Sequence, residues 1–324
     1  MSALIVVSNG AGTDSTALLV EAIRRGIRPD LIVWADTGSE HPRTYAYLPI
    51  MRAFLADHGL ELVTVRWTRK IGENAGRFIP IHEDCAENHT LPSAAFGFTG
   101  CSSKWKRQPV DEYIDAHPAV LAALSQGRTV ERWVGYSADE EHRLSRHPAR
   151  GPDQPYLWRS PLAEWGIDRI DARQIITCAG LPLPGKSACW LCPHSKPAEV
   201  QALRAEHPEL YERAVAIEAG ADLGTVKGLG RSWRWADVPM ALFPPRLADL
   251  EELPCSCATK RRRPERRLER RRAYQPRAAR LDVWRWALGV VSAGEIARLA
   301  GVSAATVHKM AARQRGSQAR SLLT

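Results

Sequence analysis

The chain has 324 residues, of which 44% are hydrophobic and 25% charged, and it carries a net charge of +9. This length allows one large domain and a smaller one, and the apolar runs are too short to span a membrane. The first apolar run follows Met1 directly, so no signal peptide is expected. Seven cysteines, an odd number, favour a reducing cytoplasm in which some thiols act as ligands.

The charge is unevenly distributed along the chain. Residues 260–324 hold 17 Lys and Arg against 4 Asp and Glu, a net +13, whereas residues 1–259 hold 28 against 32, a net −4. A basic tail on an acidic body predicts a polyanionic partner, above all nucleic acid. A solvated helix of mixed Arg and Glu is the alternative.

The first half of the chain alternates apolar runs with amphipathic segments. Strands are predicted over residues 3–8, 31–35, 60–67 and 131–135, and helices over 14–25 and 42–58. This alternation predicts an α/β fold with a doubly wound parallel sheet that binds its ligand at the carboxyl edge. Residues 71–99 show little pattern and are expected to form an irregular segment near that edge.

After residue 160 the pattern becomes helical. Helices are predicted over residues 168–179, 197–207 and 208–219, the last two opened by proline. The chain is therefore divided into four parts: a nucleotide-binding α/β domain (1–160), a helical cap with cysteines (161–259), an Arg-rich linker (260–281) and a small all-α tail (282–324).

The tail has the spacing of a helix-turn-helix over residues 290–307. Gly301 supplies the turn and Ser303 caps the second helix. The recognition helix would face nucleic acid with Thr306, His308, Lys309 and Arg313. A plain helical hairpin is the alternative.

A glycine-rich loop follows the first predicted strand, where residues 8–16 read S-N-G-A-G-T-D-S-T. Gly10 and Gly12 let backbone N–H groups approach a phosphate, and the N-terminus of the next helix adds positive potential. The carboxylate of Asp14 is a hard oxygen ligand of the kind Mg²⁺ prefers. The pattern predicts a nucleotide-phosphate loop, with an ordinary glycine-rich turn as the alternative.

Five segments, in order, resemble those of the PP-loop ATP pyrophosphatases and the phosphoadenosine phosphosulfate (PAPS) reductase-like proteins. They are S-N-G-A-G-T-D-S-T-A (8–17), L-I-V-W-A-D-T-G (31–38), G-C-S-S-K-W-K-R-Q-P (100–109), G-Y-S-A-D-E-E-H-R (135–143) and K-S-A-C-W-L-C-P (186–193). The resemblance implies a PP-loop, Rossmann-like fold that binds ATP, or a sulfonucleotide, together with Mg²⁺. It further implies attack on the α-phosphorus with release of pyrophosphate.

By position, the resemblance also implies site residues. The nucleotide-binding set is Ser8, Gly10, Gly12, Asp14, Ser15, Thr16, Asp36, Thr37, Lys104 and Lys186, and the catalytic set is Asp14, Lys106, Asp139 and Arg143. Many members have lysine where this chain has Thr13, so the positive charge at the phosphates must come from Lys104, Lys106, Arg143 or Lys186. For Asp139, Glu140 and Arg143 a structural ion pair is an equal alternative.

Residues 180–187, G-L-P-L-P-G-K-S, match the Walker A sequence pattern, but they lack the backbone N–H donors and the strand–helix context that a Walker A loop needs to bind phosphate. Pro182 and Pro184 donate no N–H to a phosphate, and a predicted helix rather than a strand precedes the match. Cys178, within that helix, is expected in the core.

The remaining cysteines suggest a metal centre. Cys189 and Cys192 form a C-x-x-C, which can hold two thiolates on one ion or cluster. Together with Cys101 and either Cys255 or Cys257 they would complete a Cys₄ site. Related reductases and sulfurtransferases hold a 4Fe-4S cluster, which favours iron, with zinc as the alternative. A redox-active dithiol or unliganded thiols also remain open.

Three functions fit these features. The first is an ATP-dependent enzyme that adenylylates a substrate and transfers sulfur to nucleic acid, similar to DNA phosphorothioation or tRNA thiolation enzymes, with a sulfur-donor protein as a candidate partner. The second is an adenylylsulfate or PAPS reductase, although the chain lacks the E-C-G-x-H type motif of those enzymes. The third is a DNA-binding regulator with a nucleotide- or cluster-sensing body.

Overall fold

The computed structural model describes residues 2–73, 75–144, 155–242 and 244–246, and the side chains of residues 141–142 are left out. All of these residues fall within one compact unit, Met1–Lys260. The predicted linker, the helix-turn-helix and the candidate ligands Cys255 and Cys257 lie outside the described residues.

Five parallel strands form one sheet in the order β3-β2-β1-β4-β5. The strands are β1 (Leu4–Asn9), β2 (Leu31–Asp36), β3 (Leu62–Arg66), β4 (Val130–Val134) and β5 (Tyr156–Arg159). The chain winds outward from β1 to β3, then returns to place β4 on the other side of β1. This reversal opens a crevice at the carboxyl ends of β1 and β4, and it confirms the predicted doubly wound α/β fold.

Helices connect the strands and continue beyond them. They are α1 (Thr13–Arg24), α2 (Pro42–Asp57), α3 (Ile81–Glu87), α4 (Gly100–Ser102), α5 (Gln108–Ala116), α6 (Pro118–Ser125), α7 (Glu141–Leu144), α8 (Pro161–Glu164), α9 (Arg169–Cys178), α10 (Pro197–Glu206) and α11 (Pro208–Gly220). Ser103–Arg107 forms a π-helical turn that joins α4 to α5. Within the described residues, no helix combines the length and apolar character needed to cross a membrane.

Both faces of the sheet are covered, as expected for strands that are apolar along nearly their whole length. On one face Leu18 of α1 and Ile176 of α9 pack with Ile32 of β2. On the other face Ile114 of α5 packs with Val6 of β1. The sheet is thereby held rigidly between two helical layers, which fixes the position of the loops at its carboxyl edge.

A separate hydrophobic cluster lies around α10 and α11. Leu203 and Tyr211 pack there with Trp190 of the C-x-x-C segment and with the fully buried Trp235. The carboxylate of Glu218 accepts hydrogen bonds from the backbone N–H groups of Leu229, Trp235 and Ala236 at 2.6–3.2 Å. This buried carboxylate organises an irregular segment that would otherwise leave its N–H groups unpaired.

Sequence and structure differ at three places. Residues 71–99, expected to be irregular, contain the short α3 and a 3₁₀ turn, Ser93–Phe96, which are too brief to leave a helical period. The four-residue strand β5 was not predicted, since it is shorter than the pattern window. Cys178 is exposed rather than buried in the core, because it is the last residue of α9.

Candidate nucleotide site

The glycine-rich loop spans the three residues between β1 and α1, at the crevice of the sheet. Ala11 adopts a left-handed backbone conformation with φ of 53°, and its N–H donates to Oδ1 of Asn9 at 2.5 Å. The Gly12 N–H donates to Oγ of Ser15 at 3.1 Å, which caps the helix. The first turn of α1, with Ser15 and Thr16 buried in it, therefore points its N-terminus at the crevice, where an anion is favoured.

Two later segments lie directly against this loop. A Cβ added to Gly135, just after β4, would lie 2.8 Å from the Ser15 backbone nitrogen. Ser187 donates its Oγ–H to the Gly10 carbonyl, and a Cβ added to Gly12 would meet Cβ of Ser187 at 3.2 Å. The structure thus brings three of the five segments together in space. Residues 180–187 do not lie between a strand and a helix, in keeping with the rejection of a Walker A loop.

Asp14 lies at the start of α1 and is largely buried. Burial raises its pKa to about 6, against the opposing effect of the Arg169 guanidinium, and the negative charges of Glu140 and Asp139 add to the rise. Arg169 NH1 lies 2.7 Å from Oδ2 of Asp14. Oδ1 of Asp14 and Oε2 of Glu140 are buried and have no hydrogen-bond partner among the described residues. Two such oxygens at one acidic site suit a hard cation.

The segment after β4 supplies the acidic residues of this site. Arg143 NH1 lies 2.8 Å from Oε1 of Glu140, and its guanidinium lies over the Tyr136 ring at 4.1 Å. The structural ion pair considered from the sequence is therefore present between Arg143 and Glu140. Catalytic roles for Arg143 and Asp139 remain predictions.

Asp36, at the end of β2, is held by three donors. Its Oδ1 accepts hydrogen bonds from the Tyr45 hydroxyl at 2.8 Å and the Gly38 N–H at 2.9 Å, and its Oδ2 accepts one from Arg66 at 2.9 Å. Because its hydrogen-bonding capacity is largely used, Asp36 shapes the turn that follows β2.

A buried polar cluster, formed by Thr37, Glu40, Lys106 and Cys189, lies beside this turn. Lys106 Nζ lies 2.7 Å from Oε1 of the fully buried Glu40, and Thr37 donates to the same oxygen at 3.0 Å. The Cys189 thiol lies 3.5 Å from the Thr37 hydroxyl. Burial alone would lower the pKa of Lys106, but the negative charge of Glu40 outweighs it and raises that pKa. Lys106 is therefore a fixed cation.

The C-x-x-C segment is tied to the turn after β2 by backbone hydrogen bonds. The His41 N–H donates to the Ala188 carbonyl and the Trp190 N–H donates to the Ser39 carbonyl, both at 2.9 Å. Lys106 reaches the same place from the π-helical turn, an irregularity that often occurs at functional sites. Together with the loop contacts, these bonds bring all five segments to one edge of the sheet.

Three further residues of the predicted nucleotide-binding set also have protein partners. Lys104 Nζ lies 3.0 Å from Asp84 and over the Trp67 ring at 4.2 Å. Lys186 Nζ lies 2.8 Å from Glu199. The Ser8 hydroxyl accepts a long hydrogen bond, 3.4 Å, from Arg132. Nucleotide contacts by these residues remain predictions, and each would require a rearranged or shared side chain.

The predicted Cys₄ site is not assembled within the described part of the chain. No three His, Cys, Asp or Glu residues there gather in a set that could hold a metal ion, so Cys101 does not join Cys189 and Cys192. Cys101 and Cys189 both border the hydrophobic cluster around Cys85. Burial raises the pKa of the Cys189 thiol well above its ordinary value, helped by the charge of Glu40. Because Cys255 and Cys257 lie outside the described residues, the four-cysteine site stays a prediction.

Sequence reasoning missed Arg169, Glu40 and His41. Arg169 is the first residue of α9, directly after the N-cap Asp168, and lies far from every motif in the sequence. Glu40 and His41 follow A-D-T-G-S directly after a buried strand, and polar residues at a strand's carboxyl end could have indicated a site.

No protein-family model matches this sequence, and no curated protein matches it. Solved structures with some likeness include the U34-tRNA thiolase NcsA from Methanococcus maripaludis with its 4Fe-4S cluster. The match has 13% sequence identity and a TM-score of 0.36, and it covers 67% of this chain and 71% of that one. A likeness of this size says nothing about activity, so the function below is argued from the site's own residues.

Proposed function

We propose that the protein is an ATP pyrophosphatase of the PP-loop type, which adenylylates a substrate and releases pyrophosphate. The observation that carries the proposal is the convergence of five separate segments at one edge of the sheet, two of which, at Gly135 and Ser187, pack directly against the loop between β1 and α1. An ordinary glycine-rich turn would not require residues from distant parts of the chain beside it.

The phosphates would lie against Gly10–Thr16, where backbone N–H groups and the N-terminus of α1 favour negative charge. The segments at Gly135 and Ser187 pack directly against the loop backbone and would border the phosphates. Asp36, Thr37 and the turn after β2 would hold the nucleoside at the neighbouring strand end.

Mg²⁺ fits the acidic side of this site. The unpartnered oxygens of Asp14 and Glu140 would hold it, and the ion would offset the charge of the phosphates. The raised pKa of Asp14 indicates that the carboxylate is held ready for a positive partner, because ligand-free burial disfavours its ionised form. Arg169 provides the positive charge that the loop lacks at Thr13.

In the proposed reaction an oxygen of the acceptor attacks the α-phosphorus. The new acceptor–phosphorus bond forms as the bond to the bridging oxygen of pyrophosphate breaks, so the products are an adenylylated acceptor and pyrophosphate. The chain contributes alignment and charge rather than a covalent nucleophile. Lys106, paired with Glu40, and Arg169, paired with Asp14, would supply positive charge at this edge of the sheet.

We further propose that the acceptor is a nucleic acid and that sulfur displaces AMP in a second step. The support is the net charge of +13 on residues 260–324, which suits a polyanion. The sulfur would come from a separate donor, and AMP would leave as the carbon–sulfur or phosphorus–sulfur bond forms.

The test is to identify the product formed from ATP labelled at the α-phosphate, with and without total tRNA or duplex DNA. We expect pyrophosphate to be released faster when the acceptor nucleic acid is present, with the label on the adenylylated acceptor and, once a sulfur donor is added, in AMP. Labelled ADP, or no turnover under any of these conditions, would contradict the proposal. Sulfite from a sulfonucleotide and thioredoxin would instead establish the reductase.

A truncated chain that ends at residue 259 provides the control for the nucleic-acid part. Loss of the tail should weaken binding to nucleic acid and flatten its salt dependence, because fewer phosphate contacts release fewer counterions. ATP binding should be retained, since the loop and its supporting segments remain. Unchanged binding and salt slope would show that the tail is not the contact.

A further inference from the structure

The segment that follows α11, residues 223–236, carries positive charge that no step of the proposed reaction uses. It contains no Asp or Glu, although Asp222 and Asp237 flank it, and its net charge is +3. The three cations are all exposed, and none of them pairs with a carboxylate in the described part of the chain. They are Lys227, Arg231 and Arg234. We call residues 223–236 the basic loop.

The basic loop is held in one shape by contacts within it and beneath it. Glu218, whose buried carboxylate accepts from the backbone of the loop, lies so close to Gly228 that a Cβ there would overlap it. Across the turn, the Lys227 N–H donates to the Arg231 carbonyl at 2.8 Å, and Nε of Arg234 donates to the Lys227 carbonyl at 3.2 Å. The three cations therefore lie close together on a preformed turn, which lowers the entropy cost of binding a partner.

Arg231 has a backbone conformation that is unfavourable for an arginine. Its φ of 70° lies in the left-handed region, where glycine is at home and a residue with a Cβ is strained. Glycine at this position would therefore be the choice for stability alone. Strained residues are often kept at sites that bind ligands, so an arginine here indicates a role for its side chain.

An exposed aromatic ring borders the basic loop. The NH2 of Arg231 would lie 3.2 Å from a Cβ at Gly97, so the guanidinium lies beside the turn that carries Phe98. The Phe98 side chain is 70% exposed. An exposed ring on which a base can stack, next to cations that can bind the phosphates, is the arrangement by which many proteins bind single-stranded nucleic acid.

Both parts of this surface are connected to the proposed nucleotide site. Trp235 of the basic loop packs with Trp190 of the C-x-x-C segment, whose N–H donates to the Ser39 carbonyl after β2. Phe98 shortly precedes the π-helical turn that carries Lys106. A strand bound on this surface would therefore be held by the same segments that build the proposed adenylylation site.

We propose that the basic loop and Phe98 form a docking surface for single-stranded nucleic acid, in which the three cations of the loop bind phosphates and one unpaired base stacks on the Phe98 ring. The inference rests on the proposed nucleic-acid acceptor and names where the body of the protein binds it, apart from the tail of residues 260–324. A duplex would not place a base on the ring, because its bases are already stacked on one another.

The first test locates the bound strand. The full chain, without ATP, is irradiated with a single-stranded oligonucleotide that carries 5-iodouracil, and the crosslinked peptides are identified by mass spectrometry. We expect a crosslinked peptide that contains Phe98. Phe98→Leu should abolish this crosslink and raise the dissociation constant for the single strand about fivefold or more, with no effect on a duplex of the same sequence. Leu121→Ala, which shortens an exposed apolar side chain on α6, is the control and should change neither.

The second test measures the phosphate contacts through their salt dependence. Arg231→Gly removes a cation and relieves the left-handed backbone, so it should weaken binding of the single strand without lowering the free energy of unfolding in urea. The slope of log Kd against log salt concentration should flatten by about 0.7, and Lys227→Gln should flatten it by a similar amount. Arg28→Gln is the matched control, because Arg28 is an exposed cation that precedes β2, at the opposite edge of the sheet, and donates to the Gly59 carbonyl. It should leave the slope unchanged.

The proposal is overturned if the single strand does not bind, if no crosslink forms at Phe98, or if Arg231→Gly and Lys227→Gln keep the slope of the wild type, which would leave the surface to an acidic protein partner. It is also overturned if Phe98→Leu weakens the single strand and the duplex equally. Nucleic-acid binding through the tail alone would contradict this docking surface but not the proposed acceptor. Because both tests omit ATP, the crosslink and the slopes stay interpretable even if no pyrophosphate is released.

Discussion

The carboxylate of Asp14 and the guanidinium of Arg169 meet at 2.7 Å, across 155 residues of sequence, at the first turn of α1. Arg169 is the first residue of α9, and α9 packs on α1 through Ile176 and Leu18. The same helix–helix contact that builds the core therefore brings a cation to the phosphate loop.

Arg169→Gln is expected to move the acid side of the pH profile upward. Arg169 lowers the pKa of Asp14, so its removal lets that pKa rise above about 6 and reduces the ionised fraction near neutrality. The measurement is kcat/KM for ATP against pH, which reports groups of the free enzyme. Arg173→Gln, one turn along α9, is the control. Superimposable profiles for Arg169→Gln and the wild type would show that Arg169 does not lower the pKa of Asp14.

Asp14→Asn is expected to lose activity but to gain stability at higher pH relative to the wild type. The folded pKa of Asp14 is about 6, above its ordinary value of 3.8, so the folded state holds the proton more tightly. Stability from this group is present at low pH and is lost as the pH rises through 6. The difference in unfolding free energy between the variant and the wild type should therefore grow by about 2 kcal/mol from pH 4 to pH 8.

Urea unfolding without ligand or divalent metal measures this difference directly. If the difference in unfolding free energy between Asp14→Asn and the wild type did not change with pH, the folded state would not disfavour the ionised form of Asp14. The gain in stability at the expense of activity is the signature of a residue kept for function.

Gly135→Ala is expected to weaken ATP binding. The new Cβ would come within 2.8 Å of the Ser15 nitrogen, and backbone atoms at that distance must move. We expect the dissociation constant for ATP to rise about tenfold or more, with a modest loss of stability. Gly220→Ala is the control, since nothing lies within 4 Å of its Cβ position. Equal affinity in the two variants would contradict the placement of the phosphates beside this contact.

Glu40→Gln and Lys106→Met test how much the ion pair in the polar cluster beside the turn after β2 contributes to stability. Glu40 is completely buried, whereas the Lys106 side chain is about a third exposed, at 36%. Removing Lys106 leaves a buried carboxylate with the Thr37 hydroxyl and the Cys189 thiol as its remaining donors, and it should cost about 3 kcal/mol. Removing the Glu40 charge lets Lys106 recover water and should cost less, about 1–2 kcal/mol.

The loss of unfolding free energy in the double variant should be smaller than the sum of the losses in the two single variants, because the double variant leaves no unpaired charge. Additive losses in urea unfolding would show that the two side chains do not depend on each other.

Much of the fold was predictable, and the reason is visible in particular segments. β1 and β2 are nearly all apolar and are bounded by glycine or polar turns, so their period and ends are clear in the sequence. The glycine-rich loop between β1 and α1 was predictable because its sequence signal is local, with Gly10, Gly12 and Asp14 within five residues. β5 and α3 were not, because four and seven residues are too few to show a period.

The partners within the site could not be predicted in the same way. Arg169 reaches Asp14 only because α9 packs on α1, which is a tertiary fact. Lys106 was expected at the phosphates, yet its distance of 2.7 Å to Glu40 depends on the π-helical turn. Such long-range contacts carry no mark in a single sequence.

The measurement that tests the central claim most directly is the exchange of labelled pyrophosphate into ATP, by the wild type and by Asp14→Ala, with Mg²⁺ and the acceptor nucleic acid present. If the loop between β1 and α1 holds the phosphates for adenylyl transfer, the wild type incorporates label and Asp14→Ala does not. Undiminished exchange in Asp14→Ala, or its absence in a folded wild type that binds ATP, would contradict the account.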